Sequence, residues 1–148
     1  MTKAIYFDMD GTIADLYGVN GWLNSLIASE TKPYREAKPL VNMWKLGKLL
    51  NTLQEQGYHI GIVSWLSKSG TVDYNVKVTK AKWTWLAKHL SAVQFDEIRI
   101  VPYGMPKSTV VDFPDGLLFD DEKPNRDEWV GQACDVNNIL ETLGTLVA

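Results

Sequence analysis

A short apolar segment that runs into two carboxylates constrains the fold of this chain more than any other feature. The segment Ala4–Phe7 is apolar or aromatic, and Asp8 and Asp10 follow it before the turn residue Gly11. Such a run, bounded by glycine, is typical of a buried β-strand. Open α/β sheets bind their ligands beyond the carboxyl ends of their strands. We therefore expect both acids to lie at a ligand site, where paired carboxylates suit a divalent cation and a phosphate group.

Two simpler interpretations of these residues must be weighed. The pattern Asp-x-Asp-Gly also begins the calcium loop of an EF-hand, and Asp-Gly by itself is common in turns. An EF-hand loop needs a ligand at its fifth position and a glutamate at its twelfth, with a helix in front. Here Thr12 and Val19 occupy those positions, and a strand comes first. The residues exclude the EF-hand and favour a catalytic site, with a structural turn as the alternative.

Apolar strand candidates alternate with helix candidates along the chain. This alternation predicts a three-layer, Rossmann-like α/β fold, in which a parallel sheet is covered by helices on both faces. On the helix at 72–90, Trp83 should point away from Trp85, because two positions are about 200° apart. After the first strand, the strand candidates are 59–63, 97–101, 116–119 and a weaker 132–136, for a sheet of about five strands, and the helix candidates are 40–56, 72–90, 125–130 and 137–143.

The composition is that of one ordinary globular domain over residues 1–148. Of the 148 residues, 45% are hydrophobic and 22% are charged, and a chain of this size can bury a core. No apolar run approaches the roughly 20 residues of a membrane helix, and the N-terminus lacks a signal-peptide pattern. The single cysteine, Cys134, cannot form an intramolecular disulfide. These features predict a cytoplasmic protein that does not enter the membrane.

Charge and metal-ligand counts narrow the function classes further. The net charge of −3 disfavours broad nucleic-acid binding but leaves open a single site for the end of a strand. Two histidines and one cysteine exclude a typical zinc site. One lysine cluster indicates either an anionic substrate or, as the simpler alternative, a solvated helix face. Its members are Lys68, Lys77, Lys80, Lys82 and Lys88.

The helical pattern weakens between residues 15 and 39. Trp22 and Leu26 have helical spacing, which is enough for one small helix, and Pro33 and Pro39 are expected to interrupt any longer one. The segment is too short to form a domain of its own. We therefore expect a small insert that leaves a neighbouring site open.

Three further polar motifs follow later strand candidates. Ser64 comes after the second strand candidate, Lys107 after the third, and the adjacent pair Asp120 and Asp121 after the fourth. Each has an ordinary explanation, because serines in turns and exposed lysines and aspartates are common. The serine lacks the second glycine of a nucleophile elbow, and the lysine follows Pro106 rather than the glycine of a P-loop. A serine hydrolase and a P-loop nucleotide-binding protein are therefore rejected.

Taken in order, these motifs resemble those of the haloacid dehalogenase (HAD) superfamily of phosphohydrolases. Phe7-Asp8-Met9-Asp10-Gly11-Thr12 resembles its first motif, and a serine, a lysine and an acidic pair then follow successive strands. The resemblance covers nearly the whole chain and implies a HAD-like fold, with residues 15–39 in the place of the cap. It also implies a Mg²⁺-dependent phosphatase that forms an aspartyl-phosphate.

The resemblance implies a role for each motif residue. Asp8 would be the nucleophile and Asp10 the general acid and base, while Lys107 would neutralise negative charge. Mg²⁺ would be held by Asp8, by Asp10 through its backbone carbonyl, and by Asp120 or Asp121. The residues expected to bind phosphate or substrate are Thr12, Ser64, Trp65 and Lys107.

Within the superfamily, the chain is most similar to the 5′(3′)-deoxyribonucleotidases. They carry a Lys-x-x-Trp-hydrophobic helix like Lys82-Trp83-Thr84-Trp85-Leu86, and further similarity extends through 107–111 and 117–121. The chain departs from them in its much shorter cap and in Ser64-Trp65, where that family usually has Thr-Ser. The resemblance implies a small phosphorylated substrate, with nucleotides as the first candidates, in a 5′-nucleotidase-like enzyme.

Two other functions remain as alternatives. A small cap would also admit the phosphorylated end of a polynucleotide or a protein. A phospho-accepting receiver domain, which does not catalyse turnover, also combines acids with a late lysine on an α/β sheet. Its acceptor aspartate ends the third strand, however, and here that strand candidate runs into Val101 and Pro102. The receiver is therefore the weaker alternative.

Overall fold

The computed structural model describes residues 2–148 and contains one five-stranded parallel sheet. Its strands are β1 (Ala4–Phe7), β4 (His59–Trp65), β5 (Glu97–Val101), β6 (Leu117–Phe119) and β7 (Ala133–Cys134). Their order across the sheet is β5-β4-β1-β6-β7, which places the first strand at the centre. There Ile5 is opposite Ile60 on one side and Leu117 on the other. The predicted α/β fold is therefore confirmed. A separate two-stranded ribbon consists of β2 (Ala14–Asp15) and β3 (Lys38–Pro39).

Alternate residues of β1 pack on opposite faces of the sheet, as a strand requires. The helices that cover the sheet are α3 (Met43–Glu55), α4 (Val72–His89), α5 (Lys123–Glu128) and α6 (Ile139–Leu146). Ile5 and Phe7 face the larger core, which is covered by α3, α4 and α6. Tyr6 faces a smaller core that includes Leu118 and Trp129, at the end of α5. Both faces are thus covered, although unequally. Two shorter α-helices, α1 (Trp22–Ile27) and α2 (Lys32–Glu36), precede them in the chain.

Several element boundaries differ from the sequence prediction for local reasons. Helix α3 begins at Met43 because the Asn42 side chain caps it, accepting a hydrogen bond from the Lys45 amide at 3.0 Å. Strand β4 continues through Trp65, so Ser64 lies inside the strand rather than after it.

Within residues 2–148, no helix has the length and apolar character that crossing a membrane requires.

The insert at residues 15–39 contains two short helices, whereas the sequence predicted one. Pro33 was expected to interrupt helical structure, but it lies in the first turn of α2, where a missing amide proton costs nothing. Helix α2 packs against α4, with Tyr34 buried beside Tyr74 and Val78. The β2–β3 ribbon closes the base of the insert. The contact of α2 with α4 therefore holds the insert against the sheet domain, and the ribbon joins the two ends of the insert.

The buried carboxylate of Glu97 ties strands β1, β4 and β5 together on the side of the smaller core. The side chain of Glu97 is 2% exposed, and it accepts hydrogen bonds from Tyr6 Oη at 2.6 Å and Arg99 Nε at 2.8 Å. His59 Nε2 lies 2.8 Å from the same carboxylate. Burial by itself would raise the pKa of Glu97, but the hydrogen bonds from Tyr6, Arg99 and His59 outweigh it and lower that pKa.

Replacing Glu97 with Gln is expected to lower the free energy of unfolding by on the order of 3 kcal/mol at neutral pH, because buried donors lose a charged acceptor. Since folding lowers the pKa of Glu97, its contribution to stability is present above the ordinary glutamate pKa and is lost as pH falls through the folded pKa. Urea unfolding at pH 7 and pH 3 measures both effects. A variant as sensitive to acid as the wild type would contradict this account.

Candidate active site

Three of the predicted site residues, Asp8, Asp120 and Asp121, meet at the carboxyl ends of β1 and β6. The two strands are paired with Phe7 opposite Phe119, and the Asp8 amide donates to the Phe119 carbonyl at 3.0 Å. Asp8 and Asp120 therefore leave the sheet side by side. Gly11 turns the chain with φ of +81°, and any Cβ there would collide with the Asp121 carboxylate. Pairing of the strands and this turn together bring the acids into one cluster.

Lys107 lies at the centre of this cluster. Its side chain is 1% exposed, and its Nζ donates to Asp8 Oδ1 at 2.9 Å and to Asp120 Oδ2 at 2.7 Å. Burial would lower the pKa of Lys107, but the charges of Asp8 and Asp120 outweigh it and keep that pKa raised. The ordinary alternative for this residue, an exposed surface lysine, is therefore excluded. The structure thus places Lys107 beside Asp8, while its role in neutralising charge stays a prediction.

Three carboxylates of the cluster lie close enough together to bind one cation. Oxygen atoms of Asp8, Asp120 and Asp121 all lie within 4.8 Å of one another. Burial, together with the negative charges of Asp8 and Asp120, raises the pKa of Asp121 to about 8. Three crowded carboxylates of this kind are an oxygen donor set suited to Mg²⁺. The Asp10 carboxylate is not part of this set.

Thr12 and Ser64 have surroundings different from the predicted ones. Both were expected to bind phosphate, but both are fully buried and neither lines the cavity described below. The Thr12 hydroxyl lies 3.1 Å from Asp8 Oδ2 and 3.3 Å from Asp121 Oδ1. Ser64 accepts a hydrogen bond from Lys82 because it lies within β4, where its side chain faces helix α4. In this structure both hydroxyls support charged groups of the site.

Asp10 is held by a lysine that the sequence analysis did not select as a site residue. Lys82 Nζ donates to Asp10 Oδ2 at 2.8 Å. Lys82 was grouped with four other lysines, for which a solvated helix face was the simpler explanation, yet it alone of the five is buried. Its position four residues after buried Val78 was the available signal, because this spacing places both on one helix face. Burial raises the pKa of Asp10, and the charge of Lys82 opposes that rise.

A cavity of about 740 Å³ opens above these groups. Asp8, Asp10 and Lys107 contribute to its lining, together with apolar side chains of the insert. Two aromatic pairs also line it, each contributed by a different part of the chain. Tyr17 and Trp22 of the insert pack edge to face with ring centroids 5.0 Å apart, and Trp65 and Tyr103 lie 4.9 Å apart. The cavity is of the size and apolar character that small organic ligands occupy.

Comparison with known proteins identifies the fold. No family model matches the chain, and no curated protein matches it significantly. Among solved structures, the chain is similar to the D,D-heptose 1,7-bisphosphate phosphatase from Burkholderia thailandensis. The TM-score is 0.54 with 12% sequence identity, and the match covers 99% of each chain. At this identity the likeness concerns the fold alone, and it confirms the Rossmann-like α/β architecture over the whole chain.

Proposed function

We propose that this protein hydrolyses phosphomonoesters through an aspartyl-phosphate formed on Asp8. The observation that carries this proposal is buried Lys107, which donates to both Asp8 and Asp120 beside the cavity. A cation in this place offsets the charge that a phosphoryl group brings to a carboxylate nucleophile. The fold shared with a bisphosphate phosphatase supports the same class of chemistry.

Two steps complete the reaction. An oxygen of Asp8 attacks phosphorus, the bond from phosphorus to the ester oxygen breaks, and Asp10 gives its proton to the departing oxygen. Asp10 then takes a proton from a water molecule that attacks the same phosphorus, which releases phosphate and restores Asp8. The raised pKa of Asp10 suits the first step, because a carboxyl group must carry a proton to act as an acid. Lys107 remains paired with Asp8 and Asp120 and balances their charge.

Mg²⁺ is the cofactor that the carboxylate cluster fits best. Asp8, Asp120 and Asp121 would hold it, with the Asp10 backbone carbonyl as the further ligand that the family resemblance implies. When bound, the ion neutralises phosphoryl charge and orients the phosphate for in-line attack. Because Lys107 and Asn125 both bond to Asp120 Oδ2, that residue is already held in a fixed orientation.

We further propose that the substrate is a small phosphomonoester with an aromatic portion, in a 5′-nucleotidase-like reaction. The support is the pair of aromatic walls, because bases stack readily on tryptophan and tyrosine. A phosphate at Asp8 would leave the rest of the cavity for the esterified group.

Turnover of p-nitrophenyl phosphate, with Mg²⁺ and with a chelator in its place, tests the chemistry. We expect release of phosphate that requires the ion. Phosphorylation of the protein without turnover would instead indicate the receiver-like alternative. Nucleoside 5′-monophosphates, compared with 5′- and 3′-phosphorylated oligonucleotides and with a phosphopeptide, then separate the substrate classes. A clear preference for an oligonucleotide or a phosphopeptide would contradict the nucleotidase-like proposal.

Replacing Trp22 or Trp65 with Ala is expected to raise KM for nucleoside monophosphates about tenfold more than KM for a small alkyl phosphate. Stacking of a base on an aromatic side chain is worth about 1–3 kcal/mol, and an alkyl group forgoes it. Steady-state kinetics on both substrates measures the ratio. The matched control is Trp44→Ala, because Trp44 is 69% exposed and does not line the cavity. Equal changes on both substrates would show that Trp22 and Trp65 serve packing alone.

A further inference from the structure

Lys82 is a buried cation whose hydrogen-bonding capacity is fully used. Its side chain is 1% exposed. Its Nζ donates to Asp10 Oδ2 at 2.8 Å, to Ser64 Oγ at 2.8 Å and to the Trp65 carbonyl at 2.7 Å. An ammonium group has three protons, so these three acceptors account for all of them. Lys82 therefore has no donor left for a phosphate group, in contrast to a typical anion-binding lysine.

The surroundings of Lys82 offset the cost of burying its ammonium group. It lies on the face of α4 that packs against the insert, four residues after buried Val78. The ring of Tyr34, from α2, lies 5.1 Å from its Nζ and adds a cation–π contact. Burying an ammonium group is costly unless the charge is paired and its protons are bonded. Asp10 is the one carboxylate that bonds to it among residues 2–148.

Asp10 depends on Lys82 in turn. Within the part of the chain that the structure describes, Lys82 makes the single side-chain hydrogen bond to the Asp10 carboxylate, through Oδ2. The carboxylate is 17% exposed and contributes to the lining of the cavity. One oxygen of Asp10 is thus held and the other is not. This arrangement fixes the side-chain rotamer while it leaves an oxygen to exchange a proton.

We propose that Lys82 is a positioning residue for proton transfer by Asp10. Lys82 is itself bonded to Ser64 and Trp65 at the end of β4. It therefore holds the Asp10 carboxylate at a set distance from that strand end. It acts through Asp10 and does not contact the phosphoryl group. This role rests on the proposed phosphomonoesterase function. It gives the two buried lysines of the site, Lys82 and Lys107, different tasks. Lys107 serves the nucleophile, whereas Lys82 serves the acid.

The dependence of rate on the leaving group tests this role. An alkyl phosphate needs a proton on its departing oxygen, whereas 2,4-dinitrophenyl phosphate expels a stable anion and does not. We expect Lys82→Met to slow the single-turnover cleavage of ethyl phosphate on the order of 10²-fold, with a change of less than about threefold for 2,4-dinitrophenyl phosphate. Loss of a merely structural residue would slow both substrates alike.

Two further variants make the test specific. Lys80→Met removes an exposed lysine from the same helix and is expected to leave both rates unchanged. In the Asp10→Asn background, addition of Lys82→Met is expected to change neither rate further, because the group that it positions is already lost. In this double variant no charged carboxylate at position 10 is left without its lysine partner. The double variant can therefore still be measured if Lys82→Met alone does not fold.

The possible outcomes distinguish the two proposals. Equal losses on both phosphates in Lys82→Met, or a further tenfold loss in the double variant, would overturn the positioning role alone. Absence of phosphatase turnover by the wild-type protein would overturn the proposed function, and the positioning role with it. A selective loss on ethyl phosphate that disappears in the Asp10→Asn background is the supporting result.

Discussion

Replacing Asp8 with Asn is expected to reduce phosphatase turnover by on the order of 10⁵-fold or more, because an amide can neither attack phosphorus nor contribute a charge to a cation site. The fold should remain intact. The Asn side chain is isosteric, its Oδ1 can still accept the hydrogen bond from Lys107, and loss of one charge relieves repulsion among the clustered acids. Phosphate release with Mg²⁺ and a thermal unfolding curve measure the two properties.

The matched control is Asp127→Asn, which removes an exposed carboxylate that pairs with Lys123 on α5. This variant should retain wild-type turnover, since a surface ion pair of this kind contributes little. If Asp8→Asn kept more than a small fraction of the wild-type rate, Asp8 could not be the nucleophile. If Asp8→Asn failed to fold, its lost turnover would say nothing about the nucleophile. Detection of acid-stable phosphate bound to Asp8 of the wild-type protein would then decide whether Asp8 is the nucleophile.

Replacing Asp10 with Asn is expected to slow hydrolysis of alkyl phosphates by about 10²–10⁴-fold, the usual contribution of general acid–base catalysis. Both chemical steps lose their proton carrier. A substrate with a good leaving group passes the first step without it, so the aspartyl-phosphate should then accumulate. Acid quenching after reaction with 2,4-dinitrophenyl phosphate, followed by measurement of protein-bound phosphate, detects that intermediate.

The same experiment on the wild type provides the comparison, because in the proposed mechanism Asp10 would activate water there and the intermediate would turn over. A near-normal rate of Asp10→Asn on ethyl phosphate would assign Asp10 a structural role, in which it does no more than neutralise buried Lys82. Low turnover without trapped phosphate would show that Asp10 is needed before the first step. Either result would contradict the acid–base assignment.

The sequence was sufficient to predict the sheet and the main cluster of acids. A strand candidate and the polar residue directly after it are local in sequence, and parallel strands align their carboxyl ends. Asp8, Lys107, Asp120 and Asp121 could therefore be assigned to one place from four separate segments. The structure brings all four together, with Lys107 bonded to two of the acids.

Prediction was weakest where a residue's role depends on packing between distant segments. Lys82 looked like one of five helix lysines, because helical periodicity shows which face a residue occupies but not how deeply that face is buried. Its burial depends on Asp10, 72 positions away, and on the insert that covers α4. The second insert helix was missed for a related reason, since α2 is stabilised by the contact of Tyr34 with α4 rather than by its own short sequence.

The amino-acid sequence by itself thus determined the α/β sheet, the order of its motifs and the grouping of Asp8, Lys107 and the acidic pair Asp120 and Asp121. Only the tertiary structure decided that Thr12 and Ser64 support charged side chains, that Lys82 holds Asp10, and that two aromatic pairs line the cavity. The physical reason is the range of the interactions. Strand patterns and turn residues act over a few positions, whereas burial of a charge is settled by every segment that packs around it.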